Sequence, residues 1–105
     1  MTVKEGLQAA LAALGPNGEN WSKGNEEGIV GEGYLCAMTA TGKVAGVRQY
    51  TPPALLFLAM RRALEAQLPP ETKTSPDLNV VTFNDDAATT FADVKALFER
   101  AIEAA

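Results

Sequence analysis

The sequence contains no histidine and only one cysteine, Cys36, in 105 residues. The absence of histidine excludes Ser-His-Asp and Cys-His catalysis, histidine-ligated zinc and a histidine general base at neutral pH. A lone cysteine cannot form an intrachain disulfide, so packing has to hold the fold together. One cysteine without histidine also leaves almost no ligands for structural zinc.

Long apolar runs and a basic-then-apolar leader are also missing from the sequence. A membrane-spanning helix needs about 20 predominantly apolar residues. We therefore predict a cytoplasmic protein that does not contact a membrane. With 47% hydrophobic and 21% charged residues the composition is typical of globular proteins, and the length predicts a single compact domain over residues 1–105.

Charge of one sign is missing from the middle of the chain. Residues 33–64 hold four basic side chains and no acidic one, although the whole chain has a net charge of −4. This basic middle could bind an acidic partner, or could simply neutralise its acidic flanks within the fold. The net negative charge disfavours a nucleic-acid partner.

Helical patterns dominate what is present. Thr2 and Glu5 have the spacing of a capping box, and an apolar stripe follows until Gly15-Pro16. A second helix opens at Thr51-Pro52-Pro53 and ends at Pro69-Pro70, with Arg61 and Arg62 on its outer half. A third covers residues 90–104, and a short one is expected around 34–38.

The remaining segments are loops and one predicted strand. Residues 15–33 are rich in glycine and contain Trp21, which either anchors this loop on the core or forms an exposed contact site. "NVVTF" is β-branched and predicts a short strand at 80–83, paired with 28–30 or 43–47 or left unpaired. The fold class is thus mostly α, with four helical segments and one strand element, or α+β with a two- or three-stranded sheet.

The stretch "TFNDDAATTFAD" at 82–93 has two interpretations. Asn84, Asp85 and Asp86 are oxygen ligands suited to Mg²⁺ or Ca²⁺, but adjacent aspartates in an extended segment tend to point apart. Thr90 and Asp93 resemble a capping box, and acidic side chains before a helix favour its dipole. We interpret the stretch as turn and helix-start residues, with no metal or cofactor site.

Other candidates are weaker. Cys36 could be a nucleophile near a helix start, but it is more simply a buried filler. Glu99 and Glu103 resemble paired carboxylates, yet their position beside Arg100 favours a solvated face. Gly31 and Gly33 lack the preceding strand and the third glycine of a dinucleotide-binding loop.

Three blocks resemble a family of small uncharacterised proteins from actinobacteria and their bacteriophages. They are Trp21-Ser22-Lys23-Gly24, Tyr34-Leu35-Cys36-Ala37 and Phe83-Asn84-Asp85, the last leading into Thr90-x-x-x-Val94 and Ala101-Ile102. The resemblance covers residues 7–102 and departs from the family pattern at Thr39 and Phe83. The resemblance implies a cytosolic protein encoded by an actinobacterium or by one of its bacteriophages. It implies no activity and no catalytic residue, because the family has no assigned activity.

Two hypotheses of function follow. The first is a non-enzymatic protein that binds a host protein or itself, with Trp21, Arg48, Arg61 and Arg62 as contact candidates. The second is a small metal-dependent or Cys-based hydrolase that uses Asp85, Asp86 and Cys36. The absence of any catalytic constellation favours the first, and no catalytic residue is assigned.

Overall fold

Five helices form the described part of the chain. The computed structural model describes residues 2–22, 37–44, 54–69 and 79–105. Its helices are α1 (Val3–Leu14), α2 (Ala37–Val44), α3 (Ala54–Ala66), α4 (Asn79–Asp85) and α5 (Phe91–Ala104). These ranges contain no β-strand, so the prediction of a mostly α fold is confirmed.

Helix α1 begins and ends as its sequence predicts. The Thr2 hydroxyl accepts from the Glu5 amide at 3.1 Å, and the Thr2 amide donates to Glu5 Oε1 at 2.9 Å, which completes a capping box. Hydrogen bonds that the Glu5 carboxyl receives, first from the Thr2 amide and then from the Thr2 side chain, lower the pKa of this exposed carboxyl below its ordinary value. At the other end Gly15 has φ 90°, a conformation that favours glycine.

Helix α5 begins with the second predicted capping box. Thr90 Oγ1 accepts from the Asp93 amide at 3.4 Å, and Asp93 Oδ2 accepts from the Thr90 amide at 2.9 Å. The shorter side chain of aspartate therefore replaces the usual glutamate in this motif. Thr90 and Asp93, at the end of "TFNDDAATTFAD", therefore cap the start of α5.

The two middle helices agree with their patterns only in part. Helix α2 begins at Ala37 within the described residues and runs through Gly42 to Val44, so the start of "KVAGV" is helical. Helix α3 occupies Ala54–Ala66, before the predicted stop at Pro69-Pro70. The predicted cap at Thr51-Pro53 lies outside the described residues.

The predicted strand at 80–83 is wrong, because these residues lie in helix α4. Val80, Phe83 and Asn84 are buried, whereas Val81 is half-buried and Thr82 is exposed. This i, i+3, i+4 pattern is helical, and tertiary burial outweighs the strand preference of two valines and a threonine. Of the proposed strand partners, 28–30 lies outside the described residues, and Lys43 and Val44 are helical.

The core lies where α1, α3 and α5 meet, with α2 against α1 and α3, and α4 against α2 and α3. Its fully buried members include Leu7, Leu14, Met60, Leu64, Leu97 and Phe98. Gly6 permits the crossing of α1 and α3, because a Cβ there would lie 2.8 Å from Met60 Sδ. No helix among the described residues has the length and apolar character to cross a membrane.

Candidate functional site

The side chain of Asn84 makes four hydrogen bonds in the described structure. It is fully buried in the last turn of α4. Its Oδ1 accepts from Trp21 Nε1 at 2.7 Å and from the Ala37 amide at 3.0 Å. Its Nδ2 donates to the Ser22 carbonyl at 3.1 Å and to Asp85 Oδ1 at 3.0 Å. We call this group of residues the Asn84 centre.

These four bonds use the full capacity of the carboxamide. An asparagine oxygen has two lone pairs and its nitrogen has two hydrogens, and all four positions are occupied by protein. A metal ion or a substrate would have to break one of these buried bonds to reach Asn84. The arrangement therefore positions chain segments and leaves no coordination site on this side chain.

Trp21 is an anchor in the described structure. Its indole is half-buried, packs against the core and donates to Asn84. Its ring lies 6.0 Å from that of Phe91 at an interplanar angle of 50°, a tilted arrangement that aromatic pairs favour. Gly18, with φ 75°, lies so close to Phe91 that a side chain would clash with the ring. The end of α1 is thus fixed against the start of α5.

The carboxylates beside Asn84 also have structural roles. Asp85 accepts from Asn84, and Asp86 Oδ1 accepts from the Ala88 amide at 2.8 Å in the turn before α5. Asp85 is the last residue of α4, at the negative end of that helix's dipole, and it precedes α5 by the turn that holds Asp86. Among the described residues, no three acidic or cysteine side chains come together to hold a metal ion.

The basic contact candidates differ in their surroundings. Arg61 Nε lies 3.2 Å from Glu65 Oε1 one turn along α3, an ion pair without hydrogen-bond geometry. Arg62, the next residue, is exposed. Arg48 and Cys36 lie outside the described residues. Glu99 and Glu103 are exposed on α5, as the interpretation of a solvated face predicts.

A groove between α1 and α5 was not predicted from the sequence. It has a volume of about 430 Å³, is open to solvent, and is lined by Gln8, Leu11, Ala12, Gly15, Pro16, Lys95 and Ile102. Leu11 and Ile102 are the half-buried edges of two apolar helical stripes. The sequence shows such positions at the edge of each apolar stripe, and they could have indicated a groove. The sequence does not show which two edges face each other.

The three sequence blocks behind the family resemblance meet at the Asn84 centre. Trp21 and Ser22 come from the first block, Ala37 from the second, and Asn84 with Asp85 from the third. The indole bond joins residues 63 positions apart. Each block therefore contributes at least one bond to the contact that links α2, α4 and the chain after α1.

Comparison with protein families shows which family the chain belongs to. A family of unknown function (DUF6197) matches residues 1–104, and the chain belongs to it. No curated protein matches the chain. No solved structure matches it either.

Proposed function

We propose that this protein is non-enzymatic and acts by protein–protein contact, either with another protein or with a second copy of itself. We further propose that it does so in the cytoplasm of an actinobacterium, as the product of a bacterial or a bacteriophage gene. The family resemblance supports this setting.

The observation that carries the proposal is the saturation of the Asn84 centre. Asn84 joins polar groups from three separate segments of the described chain, and it has no unused hydrogen-bonding position. Its chemistry stabilises the protein itself. No described contact favours the alternative of a hydrolase that uses Asp85 and Asp86.

The described surface has features suited to binding. Arg62 is exposed on α3, and Leu55 on the same helix is 79% exposed. Exposed arginine beside apolar surface is common at protein interfaces. Trp21 is a poorer contact candidate than Arg62, because its indole is half-buried and donates to Asn84. Arg62 is therefore the first contact candidate to test.

The test compares Arg62→Glu with Ala104→Glu, which adds an acidic side chain at an exposed position of α5 on the opposite side of the helix from Ile102. Arg62→Glu does not alter either member of the Arg61–Glu65 pair. Tagged wild-type and variant proteins are used to capture partners from an actinobacterial lysate. We expect a stoichiometric partner, or the untagged protein itself, to be lost with Arg62→Glu and retained with Ala104→Glu.

The melting temperatures of both variants should remain close to that of the wild type, because both side chains are exposed. Equal capture by the two variants would show that the α3 surface is not the contact. The proposal itself would fail if the wild-type protein captured nothing and also remained monomeric at high concentration.

A further inference from the structure

We infer that a second copy of this chain is the occupant of the α1–α5 groove, and that it inserts the outer face of its α3. The inference rests on the proposed function and names one partner and both contact surfaces. It follows from an exposed apolar side chain and an apolar groove on the same molecule, with complementary charges beside them.

The inserted surface is the outer stripe of α3. Among the described residues, Leu55 is the one large hydrophobic residue that is exposed, with 79% of its surface accessible. Leu58 and Ala59 follow at helical spacing and are half-buried, and the exposed Arg62 lies seven residues from Leu55. At 1.5 Å per residue, Leu55 and Arg62 are about 10 Å apart along the helix. The stripe is therefore apolar at one end and cationic at the other.

The receiving surface has the size and character that this stripe requires. The groove volume of about 430 Å³ exceeds that of one leucine side chain, and Leu11 and Ile102 line it with apolar surface. Removing the Leu55 side chain from water in this groove would favour association through the hydrophobic effect. Leu58 and Ala59 would extend the buried area along the groove edge.

Charges beside the groove set the direction of docking. Glu99 and Glu103 are exposed on α5. Helical spacing puts Glu99 on the face of α5 that holds the groove residues Lys95 and Ile102, with Glu103 one turn further along. Arg62 of the inserted helix would be attracted to these carboxylates, and Lys95 would repel it. We therefore expect Arg62 to lie near Glu103, at the end of the groove away from Lys95.

The two surfaces differ, and we expect a head-to-tail contact in which each copy gives its α3 to one neighbour and receives the α3 of another. A copy that inserts its α3 into a neighbour still has an empty groove of its own, and assembly continues until a ring closes. The average mass should therefore rise with protein concentration beyond twice the monomer mass of 11.1 kDa.

The experiment is sedimentation velocity of the full chain over a series of concentrations, with two variants. Leu55→Glu disables the inserted surface and leaves the groove intact. Ala12→Arg places a long cation at an exposed position that lines the groove, and leaves α3 intact. Ala104→Arg is the matched control, because Ala104 is exposed on α5 and lies about 200° around the helix from Ile102.

We expect the wild type and Ala104→Arg to associate, and each of the other two variants to remain monomeric. An equimolar mixture of Leu55→Glu and Ala12→Arg should recover a dimer but nothing larger, because one intact groove meets one intact α3. Raising the salt concentration should weaken this dimer, since Arg62 and the carboxylates are exposed.

A wild type that is monomeric throughout would overturn the inference. So would a dimer that neither variant disrupts, or a mixture that stays monomeric. These outcomes are separate from failure of the proposed function, because binding of a different protein is measured by capture with Arg62→Glu. A monomer that still captures a partner in an Arg62-dependent way would keep that function and reject self-assembly.

Discussion

The Asn84 centre and the α1–α5 groove are opposite kinds of region. The first is buried and polar, and protein atoms fill every hydrogen-bonding position of its central side chain. The second is mostly apolar and open to solvent. Buried polar groups contribute to the fold only when fully paired, whereas open apolar surface gains free energy when a partner covers it. The contrast separates residues that specify the fold from residues available for binding.

Asn84→Leu should have the largest effect on stability. It leaves the Trp21 and Ala37 N–H groups and the Ser22 carbonyl without their partner, and each unpaired buried group costs about 1–3 kcal/mol. We expect a loss of roughly 3 kcal/mol or more in the free energy of unfolding, measured with urea. Asn17→Ala is the control, because Asn17 is exposed, and it should change stability by less than about 0.5 kcal/mol. If the two variants lost similar amounts of unfolding free energy, the Asn84 hydrogen bonds would not be an important source of stability.

Trp21→Phe should have an intermediate effect. Phenylalanine can keep the ring contact with Phe91 but cannot donate to Asn84 Oδ1. A loss of about 1–2 kcal/mol is expected in the same urea experiment. The double variant with Asn84→Leu should lose less than the sum of the two single losses, because both remove the same bond. Strict additivity would show that the indole contributes by packing alone.

Glu5→Gln tests the capping box of α1 through pH. Folding lowers the pKa of Glu5, so its carboxylate stabilises the native state above the ordinary value of 4.5, and that contribution is lost as the pH falls. The wild type should melt at a higher temperature than Glu5→Gln at pH 7, and the difference should shrink in acid. A difference that is independent of pH would mean that hydrogen bonding, without charge, sets the contribution of Glu5.

Gln8→Ala should have the smallest effect on stability. Gln8 is exposed and lines the groove, so its removal should change the free energy of unfolding by less than about 0.5 kcal/mol. Thermal unfolding of the monomer, at low concentration, is the measurement. A large loss of unfolding free energy would mean that the groove edge helps to hold α1 against α5. The groove would then contribute to the fold, as the Asn84 centre does.

Local patterns were sufficient to predict where α1 and α5 begin. Thr2 with Glu5 and Thr90 with Asp93 are pairs three residues apart, so the whole motif is visible in a short stretch of sequence. Helix α4 was missed for the opposite reason. Seven residues with two valines and a threonine contain too little local information, and the burial of Val80, Phe83 and Asn84 decides their structure.

The role of Asn84 could not be predicted because its partners are distant in the chain. Trp21 and Ala37 lie 63 and 47 residues away, and nothing in "FND" indicates a bond to either. The prediction of Trp21 as an anchor needed only its position in a glycine-rich segment. The groove needed the mutual orientation of α1 and α5, which neither helix pattern contains.

The Asn84 centre also makes the protein suited to carrying inserted sequence. One side chain binds both the Ser22 carbonyl and the Ala37 amide, so the two ends of the intervening 23–36 segment are held together at α4. Once the ends of a loop are fixed, each doubling of its length costs only about 0.6 kcal/mol in closure entropy. A peptide tag or a foreign epitope placed between these ends should therefore cost the fold far less than the loss of Asn84 itself.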